Sequence, residues 1–391
     1  MTIDIAAVHS LAEELAPAAI ELRRELHAHP ELGHEETRTT ERVREILEAY
    51  RIPTKPRVTR TGLTAEIGEE GPLVAFRADL DALPIRELAT VPYRSTVDGV
   101  MHACGHDAHT AIGTYAAVLL QRLGAPGGRT RFVFQPAEEV FPGGALEIVH
   151  DGLIDGVEAI MAFHVDPSIP AGTLGLRTGT ITASSDRFEI QVEGPGGHTA
   201  RPHETVDTIG TAARIVNDVP RLLYEQVDSR RPVVMVFGRI NGGDADNVIP
   251  ASVELTGTCR TGDRGLWDRL PGIVESLVRQ VGEISGAKIT MRYQRGIPPV
   301  VNDRGLIETF QRVYGESFGA ERLRDSHMSM GAEDFARYLD HTRGALVRLG
   351  VGFGDHPLDL HSASFDIDES AIETGLAAAA IGLLGLVERL S

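Results

Sequence analysis

Leu73-Val74-Ala75-Phe76-Arg77-Ala78-Asp79-Leu80-Asp81 is an almost continuous apolar run that ends on two carboxylates. Apolar character at successive positions, rather than at alternate ones, is the pattern of a strand covered on both faces. Similar short runs occur at Leu63 to Ile67, Thr130 to Phe134 and Ala159 to Phe163. Helical patterns lie between some of them, such as Thr110 to Leu123, and the first segment, Ile5 to Tyr50, is helical on both sides of Pro30. The alternation predicts an α/β sheet with both faces covered. Asp79 and Asp81, Gln135 to Glu139, and His164 come just after these runs, where open α/β sheets gather their ligands.

Past Ser184 the pattern changes. Phe188 to Val192 alternates, Glu204 to Val227 is helical, Val233 to Ile240 and Val253 to Cys259 are strand-like, Leu266 to Ile284 is helical, and Ile289 to Tyr293 is a last strand. This β-α-β-β-α-β order predicts a ferredoxin-like antiparallel sheet with helices on one face. The turn Gly296-Ile297-Pro298-Pro299 ends it, and a strand at Ala345 to Leu349 follows before Leu360-His361-Ser362. If His361 rejoins the earlier polar residues, residues 184–297 form an insertion in a discontinuous domain of 1–183 plus 298–391.

The chemistry is densest in Met101-His102-Ala103-Cys104-Gly105-His106-Asp107-Ala108-His109, which puts a thiol, three imidazoles and a carboxylate in nine residues. Thiolate and imidazole are ligands for zinc-like ions, and carboxylates extend the set to harder cations. Hydrolysis with two metal ions also needs a base that is not consumed by coordination. Glu138-Glu139 meets that need, because neighbours in a turn or extended segment point in different directions and can divide the two tasks.

The chain has 391 residues, enough for two domains, and a formal net charge of −18, which opposes nucleic-acid and anionic-membrane binding. Cys104 and Cys259 are the only cysteines, which excludes a disulfide framework and favours a reducing compartment. The N-terminus has no signal-peptide pattern, so a cytoplasmic location is expected. Cys259 has no histidine nearby and is expected to be a core residue. Gly315-Glu316-Ser317-Phe318-Gly319 has the G-x-S-x-G form but follows a helical pattern, so a nucleophile elbow is not expected.

Several strings in order give the chain a resemblance to a known family. They are Leu26-His27-Ala28-His29-Pro30-Glu31-Leu32, Arg77 to Pro84, the Cys104 motif, Gln135 to Glu139, Gly196-Gly197-His198-Thr199-Ala200-Arg201-Pro202-His203, Asn247-Val248-Ile249-Pro250 and Met330 to Phe335. Together they resemble the metal-dependent aminoacylase and carboxypeptidase superfamily, in its amidohydrolase branch of hippurate and indole-acetyl-amino-acid hydrolases. The resemblance implies a zinc-exopeptidase-like α/β catalytic domain with an inserted ferredoxin-like α+β dimerisation or lid domain. It implies two divalent ions, Mn2+ or Zn2+, held by Cys104, His106, Glu139, His164 and His361, with Glu138 as general acid and base. His198 falls on a carbonyl-polarising position donated across a dimer, and Asn247 on a substrate-contacting loop.

Where the wider superfamily has a histidine ligand this chain has Asp79, which shifts that role to Cys104 and His106 and leaves Asp81 to orient a metal-bound histidine. The expected reaction is cleavage of an N-acyl amino acid, a small-molecule substrate, by a homodimer or tetramer. The alternatives are a dipeptidase or carboxypeptidase on the same scaffold, a non-catalytic metal or small-ligand binding protein, and a serine hydrolase built on Ser317.

Overall fold

A computed structural model of the chain describes residues 3–57, 60–124, 127–354 and 359–391. It divides into two compact units, one of Met1–Gly179, Val301–His327 and Asp334–Ser391, the other of Thr180–Val300 with Met328–Glu333.

The first unit is built on an eight-stranded mixed sheet. Its centre is parallel: Leu73–Asp79 lies between Arg129–Gln135 and Ala159–Pro170, and Arg343–Gly352 lies beyond. Leu63–Ile67 joins antiparallel to Arg129–Gln135. Every residue of Leu73–Asp79 is buried, as its unbroken apolar run requires. Ala159–Pro170 is longer than the apolar run foretold, because Arg343–Gly352 pairs with it as far as Pro170.

The helix after the Cys104 motif begins at His106, four residues earlier than the apolar pattern suggests. Apolarity marks where a helix meets the core, whereas its start is set by backbone geometry, here Gly105 in the left-handed region at φ +79°. The helix approaches the sheet at Gly113, where a Cβ would lie 3.2 Å from the Ala78 Cβ. It also packs on Ile5–Ala28 and on Ser370–Leu390. Ser370–Leu390 is the one helix among the described residues long and apolar enough to cross a membrane, yet it is largely buried in this core.

The second unit has a four-stranded antiparallel sheet in the order Val233–Asn241, Ser252–Thr261, Ser185–Glu193, Lys288–Ile297. Numbered along the chain this is 2-3-1-4, the ferredoxin-like order. Phe188, Ile190 and Val192 alternate inward and share a core with Ile215, Val219 and Leu223 of Thr208–Gln226 and with Leu270, Val274 and Leu277 of Arg264–Glu283. Asp207 and Asp263 start those helices by accepting the Gly210 and Leu266 N–H groups. Cys259 is buried among these side chains. Met328–Glu333, which a single insertion would leave out, joins this unit by a bridge from Ser329 to Thr182.

Candidate metal centre

Three segment ends, the middle of the strand Ala159–Pro170 and one loop bring the acids and imidazoles of the first unit together. Asp79 closes its strand fully buried, its Oδ1 2.6 Å from His109 Nδ1 and its other oxygen held by the buried Arg77 guanidinium. Burial works against its charge, but Arg77, His106 and His109 outweigh it and hold the carboxyl well below the usual range. In the next turn the Asp81 carbonyl accepts the His106 Nδ1–H at 2.9 Å, and Asp81 Oδ2 accepts the Glu139 N–H at 2.9 Å. With Nδ1 so engaged, His106 turns Nε2 to the interior, where that nitrogen has no hydrogen-bond partner; burial works against its charge, but Asp79 and Asp81 raise its pKa well above the ordinary value.

His164 is set in the same way, since its Nδ1–H donates to the Val165 carbonyl at 2.8 Å and its Nε2 lies 3.6 Å from Cys104 Sγ. Burial, with Arg348 nearby, pushes its pKa well below the ordinary value and keeps it neutral. Burial also pushes the Cys104 thiol up to about 12. A cation beside the sulfur is what would hold it as thiolate at neutral pH. His361 arrives from far along the chain, with its N–H on the Ala103 carbonyl at 2.7 Å and a left-handed φ of 61°.

The Gln135–Glu139 turn carries the paired glutamates. Ala137 also takes a left-handed φ of 54°, and its N–H donates to the buried Glu36 at 2.7 Å. Glu138 Oε1 accepts the Asp334 N–H at 3.4 Å, and its Oε2 is 3.9 Å from His106 Nε2. Glu139 diverges from it. Its Oε1 faces His361 Nε2 at 3.0 Å, and that pairing raises the His361 pKa above its ordinary value.

Two overlapping triads result, Cys104–Glu139–His361 and His106–Glu138–Glu139, and within each the ligand atoms lie within 4.8 Å of one another. Thiol, imidazole and carboxylate atoms crowded together at this spacing form a place that a cation would relieve. The thiol, imidazole and carboxylate donors therefore fit divalent ions. His109 lies in a similar cluster with Asp79 and His106, but it does not qualify. Its Nδ1–H serves Asp79 and its Nε2 accepts the Val165 N–H at 2.9 Å, so neither nitrogen is left for a metal.

Of the nine residues singled out in the sequence, the structure gathers Asp81, Cys104, His106, Glu138, Glu139, His164 and His361 in the first unit. The other two, His198 and Asn247, belong to the second unit and are neighbours on one ribbon, where Val248 pairs with His198. His198 is exposed, and its Nδ1 accepts the Ala200 N–H at 3.1 Å, which leaves the proton on the outward Nε2. Ser317 lies in the last turn of the helix Arg304–Phe318, not on a strand-to-helix elbow. Sequence reasoning missed Glu36, which holds Ala137, and gave Arg77 no role. An arginine inside an otherwise apolar strand is the signal that could have exposed the latter.

Gly105 makes the centre sensitive to one methyl group. An added Cβ would lie 2.4 Å from Val165 Cγ2 at a positive φ. Strain and overpacking should make Gly105→Ala less stable by about 2–4 kcal/mol, read as a lower denaturant midpoint with an unchanged slope.

A sequence model of peptidase family M20/M25/M40 matches residues 75–381. An N-acetyl-L-cysteine deacetylase from Bacillus subtilis is 38% identical over 90% of this chain and 84% of its own length. An N-acyl-L-amino acid amidohydrolase from Geobacillus stearothermophilus is 40% identical over 75% of this chain and 80% of its own. Among solved structures, a dinuclear metal binding peptidase of the M20 family from Bacillus subtilis superposes with a TM-score of 0.85 at 33% identity, covering 96% of this chain and 99% of that one. The matched region takes in every donor of the two triads, and by that match the chain belongs to peptidase family M20/M25/M40.

Proposed function

We propose that the chain is a metal-dependent amidohydrolase that cleaves N-acyl amino acids to a carboxylic acid and a free amino acid. The divergence of Glu138 from Glu139 carries the reading: one carboxylate meets His361 and Cys104, and the other lies 3.9 Å from His106 Nε2. The names of the relatives from Bacillus subtilis and Geobacillus stearothermophilus support the substrate class.

Cys104, His106, Glu139, His164 and His361 would hold two divalent ions, Mn2+ or Zn2+. Such ions supply Lewis-acid polarisation of the amide carbonyl and a lowered pKa for water. Glu138 takes the proton of the attacking water at a carboxylate oxygen and returns it to the departing amine nitrogen, so the same group acts as base and then as acid. Asp81 orients His106 through the Nδ1–H bond to its carbonyl and fixes Glu139 by accepting its N–H. His198 donates its Nε2–H to the carbonyl oxygen as negative charge develops there, a contribution of about 3 kcal/mol for a well-placed donor. Asn247, beside it on the ribbon, contacts the substrate. We assign His198 to the site of a partner subunit in a homodimer, and the protein to the cytoplasm.

The test is a panel of N-acetyl and N-benzoyl amino acids against dipeptides with a free α-amino group, run on metal-loaded protein. N-acyl substrates should lead in kcat/KM by about a hundredfold, the discrimination of a site shaped for one class. Faster cleavage of the dipeptides would move the reading to a dipeptidase.

A further inference from the structure

Arg23 lies in the first helix, distant in sequence from every residue placed at the metal centre, yet its side chain is fully buried. Its Nε donates to Asp107 Oδ2 at 2.8 Å, and its terminal nitrogens donate to Asp366 Oδ1 at 2.7 Å and Glu369 Oε1 at 3.3 Å. One helical turn further on, His27 Nδ1 meets the same Asp107 oxygen at 2.8 Å, and its Nε2 meets Glu87 at 3.2 Å. Tyr93 completes the enclosure, with its O–H on Asp366 at 2.9 Å and its ring 4.8 Å from the Arg23 guanidinium.

The acids that Arg23 joins are not scattered. Asp107 immediately follows His106, and Asp366 and Glu369 lie a few residues beyond His361. The guanidinium therefore ties together two segments that approach the triads from opposite ends of the chain. A backbone link between them is the His361 N–H on the Ala103 carbonyl. A planar, permanently charged fork is suited to fixing two carboxylates at a set separation, which a lysine cannot do.

We propose that Arg23 is a positioning residue that sets the spacing between the Cys104–His106 segment and the His361 segment, and through it the protein's affinity for divalent metal. The inference rests on reading Cys104, His106 and His361 as ligands. Residues that orient ligands from outside the coordination sphere commonly change metal affinity by about 10–100-fold.

The test uses the full chain stripped by chelator and titrated with Co2+ against a chromophoric competitor, without substrate. Binding at Cys104 is followed by the thiolate-to-cobalt absorption. The variants are Arg23→Lys, which keeps the charge but loses the fork, and Asp366→Asn, which weakens one arm and leaves the pair with Asp107. Folding is checked by near-ultraviolet circular dichroism, and Asp366→Asn, altered at a partly exposed position, decides the matter if Arg23→Lys does not fold.

Both folded variants should bind cobalt about tenfold or more weakly than the parent. Parental affinity in a folded Asp366→Asn protein would overturn the proposal. Should the parent itself bind cobalt without a thiolate band, the ligand reading fails instead, and the two failures are distinct.

Discussion

Replacement of Glu138 by glutamine should lower kcat by about 10²–10⁴-fold, the range for loss of a positioned general acid and base. Glutamine keeps the size of the side chain and can still accept the Asp334 N–H through its amide oxygen. It cannot take a proton from water at neutral pH. Because the lost interaction belongs to the reacting state, KM should change little while kcat and kcat/KM fall together. Metal content should remain that of the parent, since Glu139 and the imidazoles are untouched. Steady-state kinetics on an N-acetyl amino acid, paired with elemental analysis of the same sample, checks both halves. A parental kcat with normal metal content would remove Glu138 from the mechanism.

Chelation should have an equally large effect. With both ions removed, hydrolysis should fall to background, and added Mn2+ or Zn2+ should restore it. Stability should follow, because a ligand that binds only the folded chain adds about 2.7 kcal/mol when present at a hundred times its dissociation constant. The direction of the pH effect follows from Cys104. Its thiol stands at about 12 when no cation is near, so metal uptake must displace a proton. As pH falls the proton competes better, and apparent affinity should drop by about tenfold per unit for each proton released. Chelator should strip the protein more readily at pH 6 than at pH 8.

The same contrast between local pattern and distant contact explains what the sequence disclosed. Leu73–Asp79 and the 2-3-1-4 sheet of the second unit were legible because burial on one face or two leaves a period in the chain. Cys104, His106 and the glutamate pair stood out as residue types that metals and hydrolysis need. Which histidines were free to ligate was not legible. His109 is chemically the equal of His106, and only the start of the helix at His106 turns it onto Asp79 and Val165. Glu36 and Arg23 were hidden for a related reason. In a helical or polar stretch each resembles a surface charge, and its burial depends on partners 101 residues away for Glu36 and Ala137, and 84 and 343 residues away for Arg23 with Asp107 and Asp366. No short window contains both ends of such a contact.

The central claim is that amide hydrolysis depends on metal held by Cys104, His106, Glu139, His164 and His361, and a stoichiometric titration tests it most directly. Chelator-stripped protein is supplied with Mn2+ or Zn2+ in fractions of an equivalent while hydrolysis of an N-acetyl amino acid is followed. Activity should rise from background and level off near two ions per chain. Full activity in the stripped protein, undiminished before any metal is added, would contradict the claim.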